Sequence, residues 1–292
     1  MFFFYAFVNF LWGVIATPVS MSLSRTFRLL DVPGGRKQHQ IVTPRGAGLV
    51  LWTGYLLGSL LNANPGVAIP YIATGATAVF LVGYLDDMHP LSAVKRLFFH
   101  LVAAAWVVYP IPVPLSQRIL LLFWITGMTN AYNLIDGMDG LSLTMAFLTA
   151  LVAWWGGNPA TWLPLLGLIL GVLIWNFPNA RTFLGDGGST LLGFLCASHL
   201  AWDLFPRFFG MRFPVLLLVL FLVGGVPVMD TLIAMTRRVL NKRSPFSPDR
   251  GHAHHKLLDL KFSKGQVLLL LALFHLVLLG SGFMLAGVYL FS

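Results

Sequence analysis

The sequence predicts an all-α polytopic membrane protein of about ten transmembrane helices, forming one integral-membrane domain over residues 1–292. Three observations predict it. Apolar runs of about 20 residues, the length that spans a bilayer, recur from one end of the chain to the other. The chain is 57% apolar and 10% charged, with a mean hydropathy of +0.80, which excludes a soluble core carrying a single anchor. The cations between the runs sort onto alternate connections, as they do in multi-pass proteins.

The runs fall at about 3–23, 47–63, 67–84, 94–110, 115–134, 141–156, 161–177, 188–204, 213–236 and 266–290. The first lacks the basic segment of a secretory signal and is read as a retained helix. One set of connections collects 16 of the 19 Lys and Arg, whereas only Arg118, Arg207 and Arg212 fall on the other side. By the positive-inside rule the first set is cytoplasmic and both termini lie outside. Most of the net charge of +9 therefore lies on the cytoplasmic side and does not call for nucleic acid. All ten acidic residues are Asp, and nine fall on that same face, Asp203 being the exception. The positive-inside rule says little about carboxylates, so a shared site at the cytoplasmic face is the simplest explanation. The lone Cys196 supports neither a disulfide framework nor a cysteine zinc site.

The central stretch is Thr129–Ser142, T-N-A-Y-N-L-I-D-G-M-D-G-L-S. Asn130, Asn133 and Asp136 recur every third residue and make a polar stripe on a helix face. Asp139 follows, and Gly137 and Gly140 argue that the helix is ending. A carboxylate inside a bilayer costs about 2.5–3.5 kcal/mol on insertion scales and marks a functional candidate. The same residues also suit a plain cap and polar turn.

Four other stretches carry chemistry. Gly83–His89 ends the third run with Asp86 and Asp87, adjacent carboxylates whose repulsion favours a nearby cation such as Mg²⁺, or simply a solvated turn. Phe183–Thr190 places Asp186 among glycines, with Ser189 and Thr190 at a helix N-terminus where anions are favoured. Ser244–His255 gathers Arg250, His252, His254 and His255 beyond two helix-blocking prolines. That cluster suits anion binding better than zinc, which stays open. Asp31–Gly48 is basic and rich in Gly and Pro, and fits an anionic headgroup, a phosphate or a plain connector. Asp230, inside the ninth run, is read only as a polar contact within the bundle. His39, His89, His100, His199 and His275 are read as structural.

Taken together, Asp31–Gly48, Gly83–Asp87, Asn130–Gly140, Leu184–Gly193, Pro227–Thr231 and Ser244–His255 resemble, in order and spacing, the polyprenyl-phosphate N-acetylhexosamine-1-phosphate transferases, the membrane family that includes WecA, TagO and MraY. The run S-P-F-S-P-D-R before H-A-H-H is similar to the WecA branch. Two departures stand out: Pro90 sits where the family often has a third Asp, and Ala253 interrupts the histidine run.

The resemblance implies an enzyme in the bacterial inner membrane, its active site facing the cytoplasm. The reaction implied is transfer of N-acetylhexosamine 1-phosphate, with GlcNAc the preferred sugar, from a UDP-sugar to undecaprenyl phosphate, releasing UMP. It implies Mg²⁺, with Mn²⁺ as a substitute, held by Asp186 and Asp87. Asp86, Asp87 and Asp186 are the implied catalytic residues. The implied substrate contacts are Asn130, Asn133, Asp136, Asp139, Arg250, His252, His254, His255, Arg36, Lys37 and Arg45. Asp86 is a possible base, but a phosphate whose second pKa is about 6 does not demand one. The partners are the UDP-sugar, the polyprenyl phosphate and the bilayer, with a homodimer open because such enzymes often pair. The alternatives are an MraY-type muropeptide donor, another UDP-sugar, or a transporter. A transporter would place its charges near the bilayer midplane instead of at one face.

Overall fold

The computed structural model describes residues 2–33, 41–61, 66–156, 159–208, 211–244 and 251–288. Ten long helices coincide with the ten apolar runs to within a few residues: α1 (Phe2–Thr26), α2 (Ala47–Leu61), α3 (Ala68–Met88), α4 (Ala93–Val108), α5 (Leu115–Ile135), α6 (Leu141–Gly156), α7 (Pro159–Asn176), α8 (Gly185–Phe208), α9 (Phe213–Leu240) and α11 (Lys264–Val288). A short helix, α10 (Ala253–Asp259), precedes the last of them. Five of these helices, α1, α3, α7, α9 and α11, are long and apolar enough to cross a bilayer by length and composition alone. The protein is therefore an all-α multi-pass membrane protein. The segment read as irregular contains one small departure, a two-residue antiparallel ladder between β1 (Leu30–Asp31) and β2 (Thr43–Pro44).

Helix α8 runs through the middle of the bundle. Every residue from 187 to 201 is buried, and α8 packs against α2, α3, α5 and α6. Lipid tails give helices no hydrophobic reason to associate, so close backbone approach through small residues matters more. A Cβ on Gly83 of α3 would lie 2.6 Å from Gly187 Cα, and one on Gly48 of α2 would lie 2.7 Å from the Gly188 nitrogen. A Cβ on Gly193 would lie 2.6 Å from the Met128 carbonyl of α5. The first two contacts fix the ends of α2 and α3 around the first turn of α8, where Asp186 lies, and the third holds α5 against α8 about two turns further along.

The loops at that end are sewn to one another by two polar side chains. Asn176 accepts from Gly140 N at 2.8 Å and donates to the Thr182 carbonyl at 2.7 Å. Thr182 donates to the Pro44 carbonyl at 3.0 Å and accepts from Gly46 N at 3.2 Å. Three connections distant in sequence thus share one buried hydrogen-bond network. Its groups have no water to fall back on, and leaving one unpaired costs about 1–3 kcal/mol.

The Gly83–Gly187 contact yields a test. Replacing Gly83 with Ala forces backbone against backbone. The expected cost is about 1–3 kcal/mol, read as a lower thermal unfolding midpoint in detergent. An unchanged midpoint would show that α3 and α8 separate freely at this point.

Candidate active site

A cavity of about 340 Å³ opens at the end of the bundle where these loops meet, lined by Asp31, Arg45, Asp87, Asn133, Asp136, Asp139, Asp186, His255 and Lys264 among others. It draws on segments separated by more than 200 residues. The motifs at Asp87, Asn133–Asp139, Asp186 and His255, and Arg45 of the segment after α1, come together as the sequence predicts.

Each carboxylate is held by a specific partner. Asp87, near the end of α3, accepts from Arg45 at 2.9 Å and from Gly187 N at 3.1 Å. It thereby caps the N-terminus of α8 from a neighbouring helix, satisfying a donor that helix geometry leaves free. Asp86 turns the other way and accepts from Leu91 N at 2.5 Å and from Arg96 at 2.6 Å. The adjacent carboxylates therefore diverge, each onto its own arginine. The Arg96 guanidinium also reaches Asp186 at 2.9 Å and so bridges α3 and α8. Arg45 makes a second ion pair, with Asp31 at 2.5 Å. Lys264, the first residue of α11, pairs with Asp139 at 2.7 Å.

Asp136 differs from the others. It caps the C-terminus of α5, lines the cavity, and shows no basic partner among the described residues. Burial, reinforced by the charges of Asp186, Asp87 and Asp139, pushes its carboxyl up to about 8. The local charge is thus more negative than Arg45 and Lys264 offset, which is the electrostatic setting that a hard divalent cation relieves.

Several expectations change in the structure. Asn130 lies a turn back along α5, donating to the Thr126 carbonyl at 2.8 Å, and does not line the cavity. Ser189 and Thr190 are buried and turn their hydroxyls to carbonyls of their own helix, at Gly185 and Asp186, so neither faces an anion. The one Ser189 hydroxyl proton is shared with the Asn133 side-chain oxygen, also 2.9 Å away, which ties that amide to α8. The histidines are not a uniformly basic cluster. Burial, with the charges of His255 and His252, pushes His254 down to about 3, so it is neutral. His254 packs on Gly137, where a Cβ would lie 2.5 Å from the ring nitrogen. His252 bonds to Asp230 at 2.7 Å, and only His255 of the three lines the cavity. Asp86 lies beside the cavity without lining it. Arg36, Lys37 and Arg250 fall outside the described residues.

Sequence reasoning did not single out Asp31, Arg96, Lys264, Asn176 and Thr182. The signal available for Arg96 was a cation at the start of the run that follows the Asp pair. Nothing local in the sequence ties Lys264 to Asp139.

A metal would find oxygen donors here. Among the described residues no group of three His, Cys, Asp or Glu is arranged to hold an ion. Mg²⁺ at nucleotide sites uses one or two carboxylates together with substrate phosphates. Asp186, half-exposed, and Asp87, with lone pairs beyond those taken by Arg45 and Gly187, supply that number.

The chain matches the family model described as glycosyl transferase family 4 over residues 69–202. It is 31% identical over 277 residues to a probable undecaprenyl-phosphate N-acetylglucosaminyl 1-phosphate transferase of Bacillus subtilis, covering 86% of this chain and 75% of that protein. It is 30% identical over 268 residues to the undecaprenyl-phosphate alpha-N-acetylglucosaminyl 1-phosphate transferase of Thermotoga maritima, covering 89% and 83%. A decaprenyl-phosphate N-acetylglucosaminephosphotransferase of Mycobacterium tuberculosis is 32% identical, covering 88% and 75%.

Asp136 yields a pH prediction. A carboxyl whose folded value is about 8 instead of 3.8 keeps its proton in the folded state longer than in the unfolded one. Its burden on stability therefore begins as pH rises past 3.8 and is complete above about 8. Asp136→Asn removes that burden. The fall in thermal midpoint between pH 5 and pH 8.5 should be smaller in the variant than in the natural protein. Equal falls would show that Asp136 ionises without penalty.

Proposed function

The chain belongs to the polyprenyl-phosphate N-acetylhexosamine-1-phosphate transferases of glycosyl transferase family 4, and on that premise we propose that it transfers N-acetylglucosamine 1-phosphate from UDP-N-acetylglucosamine to undecaprenyl phosphate, releasing UMP. The observation that carries the proposal is the single cavity in which Arg45, Asp87, Asp136, Asp139, Asp186 and His255 converge. Its volume lies in the range of small-molecule sites. It combines carboxylates for a cation with Arg45, His255 and Lys264 for phosphates.

Transfer of a phosphoryl group through a loose transition state asks the protein for alignment and charge stabilisation more than for covalent chemistry. Arg45 and Lys264 face the diphosphate, and His255 offers a further donor. Asn133, tied to α8 by Ser189, and Asp136 and Asp139 border the nucleotide. Asp186 and Asp87 would hold Mg²⁺, which when bound would supply charge neutralisation for the diphosphate. The acceptor phosphate is largely deprotonated at neutral pH, its second pKa being about 6. Asp86, committed to Leu91 N and Arg96, therefore acts as a brace for Arg96 and not as a base. We place the site on the cytoplasmic face of a bacterial inner membrane, with both termini outside, on the distribution of Lys and Arg.

The test incubates purified protein with undecaprenyl phosphate, Mg²⁺ and a panel of UDP-sugars, and measures UMP release. Release should need lipid and divalent cation, be greatest with UDP-N-acetylglucosamine, and disappear in Asp186→Ala. Arg45→Gln should lower kcat by about 100–1000-fold, the range for removing a preorganised charge-stabilising donor. No release from folded protein with any donor would sink the proposal.

A further inference from the structure

Helix α9 is broken and then redirected. At Gly225 the backbone takes φ +60° and ψ −149°, a region essentially reserved for glycine. A side chain there would meet the ring of His275 on α11. His275 Nδ1 accepts from Val226 N at 3.1 Å, just past the break. The other ring nitrogen lies 3.0 Å from the Thr149 hydroxyl and 3.1 Å from the Met145 carbonyl, both on α6. The break is thus a joint with its own partners.

The redirected half of α9 carries Asp230, 4% exposed and not part of the cavity lining. Its two oxygens are both committed: one accepts from His252 Nδ1 at 2.7 Å, the other from Ala253 N at 2.8 Å. Two turns on, Arg237 donates to the Gly251 carbonyl at 2.7 Å. Helix α9 therefore grips residues 251–253 at two points, at the start of α10. A seven-residue helix does not hold itself in water, since nucleation outweighs what so few hydrogen bonds return. Its orientation has to come from its anchors. Successive residues point about 100° apart around a helix of 3.6 residues per turn. The rings of His254 and His255 touch, their centroids 4.1 Å apart, with His254 seated against Gly137 and His255 bordering the cavity. A small rotation of α10 would take His255 out of the cavity.

We infer that Asp230 is a positioning residue: through His252 and the Ala253 N–H it fixes α10 so that His255 faces the reacting phosphates. This rests on the transferase reading above for the role of His255, but the clamp itself is a property of the fold. A buried carboxylate is an expensive way to fill space in a membrane helix. A side chain present only for packing would be apolar here.

The experiment uses the full-length protein in lipid nanodiscs. Asp230→Asn keeps the volume and gives up one of two acceptors. It should lower kcat/KM for UMP release by about 10–100-fold, as loss of an orienting partner does. Because Asp230 acts through His255, Asp230→Asn in a His255→Ala background should cost less than about threefold more, a non-additive pair. Amide exchange across 253–259 should accelerate in Asp230→Asn while that of α8 stays unchanged. His252→Leu should open the same amides, and it replaces Asp230→Asn if that variant fails to fold. Activity within about threefold of the natural protein, multiplied losses in the double variant, or unaltered exchange in α10 would each overturn the inference. If the natural protein released no UMP, the transferase reading would fall, and the exchange data would still decide whether Asp230 clamps α10.

Discussion

A carboxylate at the edge of a bilayer has to be paired, because its charge is costly away from water. That constraint governs this protein. Asp31, Asp86, Asp87, Asp139 and Asp186 crowd one end of a helix bundle and each meets a cation, which for all but Asp31 is supplied by another segment. Arg45 joins the loop before α2 to α3, Arg96 joins α4 to α3 and α8, and Lys264 joins α11 to the loop after α5. The same pairs that make the charges tolerable tie the helices together at the site. Removing one partner leaves a part-buried charge uncompensated, which costs more than the pair contributes. The network is therefore more consequential when broken than its few ion pairs suggest.

Pairing of this kind needs the helix ends to be close, and backbone geometry supplies that. The Gly83–Gly187 contact brings the end of α3 within reach of the first turn of α8, so that Asp87 can cap it. With a side chain at either glycine, the two acidic motifs would stand apart. Among the described residues Asp136 is the lining carboxylate with no cation shown against it, and burial together with the neighbouring carboxylates raises its proton affinity. The site is thus built for a further positive charge, and a divalent ion that arrives with a diphosphate would satisfy it without a dedicated protein cage.

How much of this was legible in the sequence divides along one physical line. Helices follow from local apolarity, so all ten runs reappear as helices with shifts of a few residues. The Asp motifs stand out because charge is scarce in such a chain, and Asp87, Asp136, Asp139 and Asp186 do line one cavity. The pairings were not legible. Arg96 and Asp186 are 90 residues apart and Lys264 and Asp139 are 125 apart, and no local pattern links them. Asn130 shares the periodicity of Asn133, but the turn it occupies lies deeper in the bundle. His254 looked like a cation because histidines cluster there, whereas its protonation depends on burial, which only the packing reveals.

Asp230 marks the far end of that line. In the sequence it was a charge inside an apolar run, too far from Arg237 and Arg238 for an i,i+4 pair and read only as a polar contact within the bundle. The partner is the start of α10, brought under α9 by a break that a single glycine permits and a histidine of α11 supports. The bundle thus divides its work. The helices around α8 are drawn together by small residues and carry the carboxylates, which stay fixed. Helix α9 is bent, and its redirected half holds a short helix whose only described contribution to the cavity is His255. The seven-residue helix is held at its start by α9 and by packing on α11, whereas the helices around α8 are gripped along their length. If the cavity changes shape as substrates come and go, that change is therefore expected on the α10 side.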